Sequence, residues 1–114
     1  MKDEHEFFPV DDVEWQDVSP TVAERVLSRG PDERTLTRIA RWAPGTDTSA
    51  AGVIRHDYVE EVYLLDGDLH DLTLGRTFTA GYYASRRPGM PHGPYRTEHG
   101  CTMLEIRYAP TPAG

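Results

Sequence analysis

The sequence predicts an all-β domain, and three observations support this fold class. Apolar and polar residues alternate over several runs of four to eight residues, which is the pattern of half-buried strands. Most of the 10 glycines and 9 prolines fall between these runs, where they favour turns. Regular helical periodicity is nearly absent. Several short strands separated by Gly/Pro turns are typical of a β sandwich or a β barrel.

The chain begins with a predicted N-terminal arm at residues 1–20. This segment is acidic and is expected to be loosely attached, as chain termini often are. Three aromatic residues are its candidate anchors, either onto the barrel or onto a partner: Phe7, Phe8 and Trp15.

Residues 21–110 form the predicted barrel domain, and residues 111–114 a tail. The domain starts with the best helical pattern of the chain, at residues 21–29, where apolar residues recur at helical spacing after a Ser-Pro pair, so a short helix is expected here. The pair Asp66-Gly67 is a strong signal for a hairpin turn. The predicted strands are residues 36–42, 60–65, 68–74, 77–79, 82–85, 97–100 and 102–108.

The composition excludes several function classes. A chain of 114 residues supports one domain. Its net charge of −7, with no Lys/Arg cluster, excludes nucleic acid as a partner. No window approaches 18 apolar residues, which excludes a membrane span, and the acidic run at residues 2–6 is neither a signal nor a transit peptide. Cys101 is the only cysteine, so the expected location is a reducing cytoplasm.

One carboxylate is predicted to point into the barrel. Glu60, Val62 and Leu64 share one face of a strand, so Glu60 faces the core if the two apolar residues do. A slip of one residue would place Glu61 inside instead. An unpaired buried carboxylate costs several kcal/mol, and a metal ion is the most economical partner.

Two spacings indicate a family. Three residues separate His56 from Glu60, and six separate Glu60 from Gly67. In the second half of the chain, His92 follows Gly89 within a rigid Pro-Gly turn. These residues resemble the two motifs of the cupin superfamily, whose members are small jelly-roll barrels. The resemblance implies a single cupin jelly roll with a short N-terminal arm.

The resemblance also implies one divalent metal ion, held by His56, Glu60 and His92. Fe(II), Zn(II), Mn(II) and Ni(II) suit this mixed N/O set, which resembles the facial triad of non-haem iron oxygenases. Ile54 stands where cupins usually have a further histidine. Three ligands suffice for a catalytic metal, because an open site keeps positions for water or substrate. His70 is a candidate replacement ligand, although the strand alternation turns it outward.

Three residues are predicted to act in catalysis beside the metal: Glu105, Tyr95 and Arg86. Tyr95 is expected nearest the metal because it follows His92 by three residues. Asp71 and Glu105 are candidate buried carboxylates with two open interpretations. One is a functional role, as a general acid/base or as a substrate-orienting pair whose pKa the barrel interior shifts. The other is a structural ion pair with an arginine, namely Arg86, Arg87 or Arg107. His99, in a polar turn, is expected at the surface.

The segments at residues 60–71 and 86–95 are similar to a cupin group that includes the metal-binding domain of ChrR-type anti-sigma factors and enzymes that cleave diketones. The resemblance implies a metal-dependent enzyme acting on a small oxygenated organic molecule, either a dioxygenase or a lyase, isomerase or cyclase. The alternative is a non-catalytic metal- or ligand-binding sensor. A metal-free barrel that serves only in dimerisation is a third interpretation, and its only support is Ile54 at the usual histidine position. The lack of an attached helical regulatory domain favours the enzyme, and cupin likeness implies a homodimer.

Overall fold

Antiparallel strands are the main regular structure in the described part of this chain, residues 2–110 of the computed structural model. The predicted tail, residues 111–114, lies outside the described residues. The strands are β1 (Gln16–Asp17), β2 (Val22–Arg29), β3 (Leu36–Trp42), β4 (Val59–Asp71), β5 (Arg76–Thr79), β6 (Tyr83–Arg86), β7 (Tyr95–Arg96) and β8 (Cys101–Tyr108). Two single-turn 3-10 helices are also present: Val10–Asp12 precedes β1, and Ser49–Ala51 lies between β3 and β4. The predicted all-β class is confirmed.

The sheet follows the order β1-β2-β3-β8-β4-β5, and β6 and β7 also pair with β4. The pairs β3–β8 and β8–β4 join strands that are distant in sequence. Strand β4 is long enough to take part in both halves of the barrel, pairing with β8 and β6 near its start and with β5 and β7 near its end. Its position brings residues from the two cupin-like motifs to one end of the barrel.

The prediction of a helix at residues 21–29 is wrong, because this segment forms strand β2. It pairs with β3 from Val22 opposite Trp42 to Arg29 opposite Leu36, with an irregularity between Val26 and Ser28. The β-branched valines fit a pleated surface, and pairing along the whole segment outweighs the weak preference for a helix. A bulge also shifts the apolar alternation by one residue. The spacing of the apolar residues across the bulge then resembles that of a helix.

The prediction of a hairpin turn at Asp66-Gly67 is also wrong, because strand β4 continues through these two residues without reversing direction. An irregularity between Leu64 and Asp66 interrupts its pairing with β8. Gly67 has φ 83°, and a Cβ atom there would lie 1.9 Å from the carbonyl oxygen of Gly100. Glycine is needed here for a close backbone approach at a bulge, and the sequence signal for that is the same as for a turn.

Inward-facing side chains divide the barrel interior into an apolar half and a polar half. In the apolar half, Leu64 of β4 lies opposite Met103 of β8, and Met103 lies opposite Ala40 of β3. Two residues further along β8, Glu105 lies opposite Arg38. Two residues further again, Arg107 lies between Leu36 on β3 and Glu60 on β4. Glu60 also lies opposite Arg86 on β6. Opposite residues of an antiparallel pair share a face, so these charged groups point inward together.

The N-terminal segment is attached to the outer face of the sheet. Trp15 lies between two guanidinium groups, with ring-centroid distances of 4.4 Å to Arg25 and 4.0 Å to Arg41, and β1 pairs with β2. Phe7, by contrast, is fully exposed. The boundaries 1–20 and 21–110 stay predictions. Within residues 2–110, no helix has the length and apolar character needed to cross a bilayer.

Candidate metal centre

Three potential metal ligands meet at the polar end of the barrel. His56 precedes β4, Glu60 is near the start of β4, and His92 follows β6. One donor atom from each residue lies within 4.8 Å of the other two. The His56 and His92 rings are 4.8 Å apart between centroids. Residues that are 36 positions apart in the chain are therefore placed at one point.

The predicted inward orientation of Glu60 is confirmed, because its side chain is buried whereas its neighbour Glu61 bonds outward to the hydroxyl of Tyr83. The position of His92 is set by backbone pairing with Ile54, through N–H···O distances of 2.8 and 2.9 Å. Directly opposite residues share a face. The Ile54 side chain therefore lies on the same side as the His92 imidazole, beside the cluster.

The chemistry of the cluster fits a divalent cation. His92 is buried, and its Nδ1 atom has no hydrogen-bond partner among residues 2–110. Burial lowers the pKa of His92 to about 4, and the charges of Arg86 and His56 act in the same direction. The negative charge of Asp71 and the Met90 backbone oppose this lowering, although no hydrogen bond of normal geometry reaches Nδ1. The imidazole is thus in the neutral form that binds metals.

The spacing of the three donors is slightly wider than a bound ion needs. Ligands of one Zn(II)-sized ion form bonds of about 2.1 Å and lie within about 4 Å of one another. The observed limit of 4.8 Å requires only a small side-chain movement to reach that range. The cluster can therefore hold one divalent metal ion, and nothing in its donor set selects among Fe(II), Zn(II), Mn(II) and Ni(II).

Arg107 connects two of the three ligands. Its Nε donates to Oε2 of Glu60 at 3.4 Å, and its guanidinium lies 5.2 Å from the centroid of the Tyr58 ring. Tyr58 stacks on His56, with centroids 4.4 Å apart and an interplanar angle of 13°. One arginine therefore orients the carboxylate directly and an imidazole through a tyrosine. Such contacts fix ligand orientation around metal sites.

Glu105 lies on the same inner face and forms a buried ion-pair network. Arg38 donates from Nε to Glu105 at 2.5 Å and from Nη1 to Glu24 at 2.5 Å. Burial raises the pKa of Glu105, with Arg38 opposing and Glu60 adding to the rise. The ion-pair interpretation is therefore correct in kind, but the expected partners Arg86, Arg87 and Arg107 are wrong, because Arg38 faces Glu105 across β3 and β8.

Tyr95 and Arg86 lie against His92. The Tyr95 ring stacks on that of His92, with centroids 6.3 Å apart at 25°, and burial raises the pKa of Tyr95. The Arg86 guanidinium is 5.8 Å from the centroid of Tyr95. Two of the three predicted catalytic residues, Tyr95 and Arg86, are therefore beside the cluster. Tyr58 is closer to its ligand, at 4.4 Å between the ring centroids of Tyr58 and His56.

The remaining candidates lie away from the cluster or are already engaged. His70 points outward as expected and bonds through Nδ1 to the hydroxyl of Thr77. His99 is exposed and bonds to Asp68. Asp71 is buried, and its Oδ1 accepts the backbone N–H groups of Thr73 and Leu74, so it caps a turn. The metal-ligand cluster identified among residues 2–110 contains neither of these outer histidines.

Comparison with known proteins gives the family. The model of the ChrR cupin-like domain matches residues 3–109. The chain belongs to the ChrR cupin-like domain family. The predicted cupin jelly roll is thereby confirmed, and the match includes most of the N-terminal arm. A comparison with curated protein sequences gave no significant match.

Solved structures similar to this ChrR cupin-like domain have varied activities. The polyketide cyclase RemF of Streptomyces resistomycificus is 23% identical, with TM-score 0.72 over 96% of this chain and 83% of that one. An acetylacetone dioxygenase of Acinetobacter johnsonii is 15% identical, with TM-score 0.69 over 93% and 74%. Anti-sigma ChrR in complex with SigE of Rhodobacter sphaeroides is 21% identical, with TM-score 0.65 over 87% of this chain and 50% of that one. At these identities the likeness shows the fold.

Sequence reasoning missed three contributors to the site: Arg38, Arg107 as the partner of Glu60, and Tyr58 as the support of His56. The two arginines act across strand pairs whose partners are far apart in sequence, so no local pattern identifies them. Tyr58 stands two residues after His56, and that proximity was the one available signal.

Proposed function

We propose that this cupin domain is a metal-dependent enzyme that acts on a small oxygenated organic molecule. The observation that carries the proposal is the convergence of His56, Glu60 and His92 within 4.8 Å at the polar end of the barrel. A divalent ion supplies Lewis acidity toward an enolate or carboxylate, and iron supplies redox chemistry with dioxygen as well. With iron the proposed reaction is oxidative C–C cleavage; with zinc it is a lyase, isomerase or cyclase reaction.

The residues around the ligands supply the other parts of such a reaction. Arg86 provides a positive charge beside His92, and Tyr95 provides a phenol whose raised pKa keeps it protonated and able to donate. Ile54 offers an apolar wall on the ligand side of the sheet, which leaves coordination positions for water or substrate. Proton transfer by Glu105 stays a prediction, because Arg38 already holds that carboxylate.

A non-catalytic metal- or ligand-binding sensor is the second candidate, and the family match favours it. The similar ChrR structure is a complex of an anti-sigma factor with SigE, whereas the similar RemF and acetylacetone dioxygenase structures are enzymes. The homodimer and the cytoplasmic location also stay predictions.

Oxygen uptake and product formation distinguish the two candidates. The purified protein is loaded with Fe(II) and supplied with β-diketones and hydroxy-keto acids, and oxygen consumption is followed with an electrode. The same panel is added to the Zn(II)-loaded protein, and products are followed by NMR. We expect turnover of at least one compound, lost in His92→Ala and kept in His99→Ala. Stoichiometric metal without turnover of any compound would leave the sensor as the better account.

A further inference from the structure

Arg86 lacks an anionic partner in an otherwise paired set of inward charges. Glu60 lies between two arginines, with Arg107 opposite it on β8 and Arg86 opposite it on β6. The carboxylate of Glu60 is bonded by Arg107, at 3.4 Å. Within residues 2–110, Arg86 forms no ion pair. Its guanidinium lies 5.8 Å from the centroid of the neutral Tyr95 ring and interacts with the hydroxyl of that tyrosine.

The nearby carboxylates are not free to neutralise Arg86. Glu105 is bonded by Arg38. Asp71, the other buried acid near Tyr95 and His92, accepts two backbone N–H groups. A guanidinium that is partly buried and unpaired favours binding of an anion, because its desolvation is otherwise uncompensated.

The charge balance of the polar end gives a second, independent argument. Three inward arginines, Arg38, Arg86 and Arg107, match three inward glutamates, Glu24, Glu60 and Glu105. His56 and His92 bind a metal as neutral imidazoles. Asp71, the buried acid near His92, adds one negative charge. A divalent ion therefore leaves this end of the barrel with one uncompensated positive charge, which attracts an anionic ligand.

We propose that Arg86 binds the carboxylate of a small organic acid, which is the substrate of the metal centre. The inference rests on the proposed function and narrows its substrate class from oxygenated molecules in general to carboxylates. A planar guanidinium matches a carboxylate in two parallel hydrogen bonds. A phosphate group would be served better by several cations or a glycine-rich loop, whereas the only lysine, Lys2, bonds to Thr37.

Malonate is the probe, titrated by calorimetry into the Zn(II)-loaded protein in phosphate-free buffer. In Arg86→Gln the dissociation constant for malonate rises at least about tenfold, the usual scale for losing a charged hydrogen-bond partner. Arg86→Lys keeps part of the affinity. Arg87→Gln is the matched control, because Arg87 is the next residue in the chain, carries the same charge and is exposed. This variant leaves malonate binding unchanged.

The zinc titration of each variant separates this proposal from the proposed metal function. Zinc affinity in Arg86→Gln is undiminished, because removing a nearby cation does not weaken cation binding. If the unaltered protein takes up no zinc, the proposed metal function fails, while Arg86-dependent binding of malonate to the metal-free protein still supports the anion site. Equal malonate affinity in Arg86→Gln and the unaltered protein would overturn the proposal, as would equal losses in Arg87→Gln or tighter binding of inorganic phosphate.

Discussion

Removing Arg38 tests whether the ion pair with Glu105 stabilises the barrel. Arg38 holds Glu105 and Glu24 at once, each at 2.5 Å, and its side chain and that of Glu105 are only 15% and 8% exposed. Replacing one member of a buried pair costs about 3–5 kcal/mol, because the other charge stays buried without a partner. For a domain of this size, Arg38→Met should lower the melting temperature by about 10–20 °C.

The surface pair Arg29–Glu33 provides the control. Its side chains are 47% and 73% exposed, and an exposed pair contributes less than about 1 kcal/mol. Arg29→Met should therefore shift both the melting temperature and the urea midpoint little. The double variant Arg38→Met/Glu105→Met should recover only part of the lost stability. An apolar replacement of a whole buried pair is often neutral, but Glu24, whose side chain is 18% exposed, still loses its partner Arg38.

The pH dependence has a definite sign. Burial already raises the pKa of Glu105, and loss of Arg38 raises it further. The folded variant then binds more protons than the unfolded chain, so its stability increases as the pH falls. Urea unfolding should show a smaller deficit for Arg38→Met at pH 5 than at pH 7. A loss no larger than that of Arg29→Met, or one that does not shrink at low pH, would refute this account of the pair.

Three further predictions follow from single positions. Gly67→Ala should strongly destabilise the fold in urea titrations, because its Cβ would lie 1.9 Å from the Gly100 carbonyl oxygen; stability like that of the unaltered protein would contradict the close approach. Cys101 should react with a thiol reagent at pH 8 only after denaturation, since burial raises its pKa to about 12; rapid labelling of the folded protein would contradict this. Ile54→His should tighten zinc binding at least about tenfold, because the new imidazole faces the same side as His92, whereas Ile54→Leu should not.

The fold class and the direction of Glu60 could be predicted because both depend on local alternation. Once Val62 and Leu64 are taken as core, the pleat fixes Glu60 inward and Glu61 outward, and the structure agrees. The same reasoning turned His70 outward. Local pattern was enough wherever a strand has one buried face.

The wrong predictions arose where pairing across the sheet decides the outcome. A bulge in β2 gave residues 21–29 a helix-like spacing, and a glycine needed for a close backbone approach gave Asp66-Gly67 the appearance of a hairpin. The partner of Glu105 depends on the β3–β8 register, which joins residues too far apart in sequence for any local motif to indicate.

Metal content is the most direct test of the account as a whole. Protein purified without added metal is analysed for bound elements, and the apo form is titrated with Zn(II), Fe(II), Mn(II) and Ni(II), for the unaltered chain, His92→Ala and the matched surface variant His99→Ala. The account predicts stoichiometric metal in the unaltered chain and in His99→Ala, and little or none in His92→Ala. No uptake of any of these ions by the unaltered chain, or equal metal in His92→Ala, would contradict it.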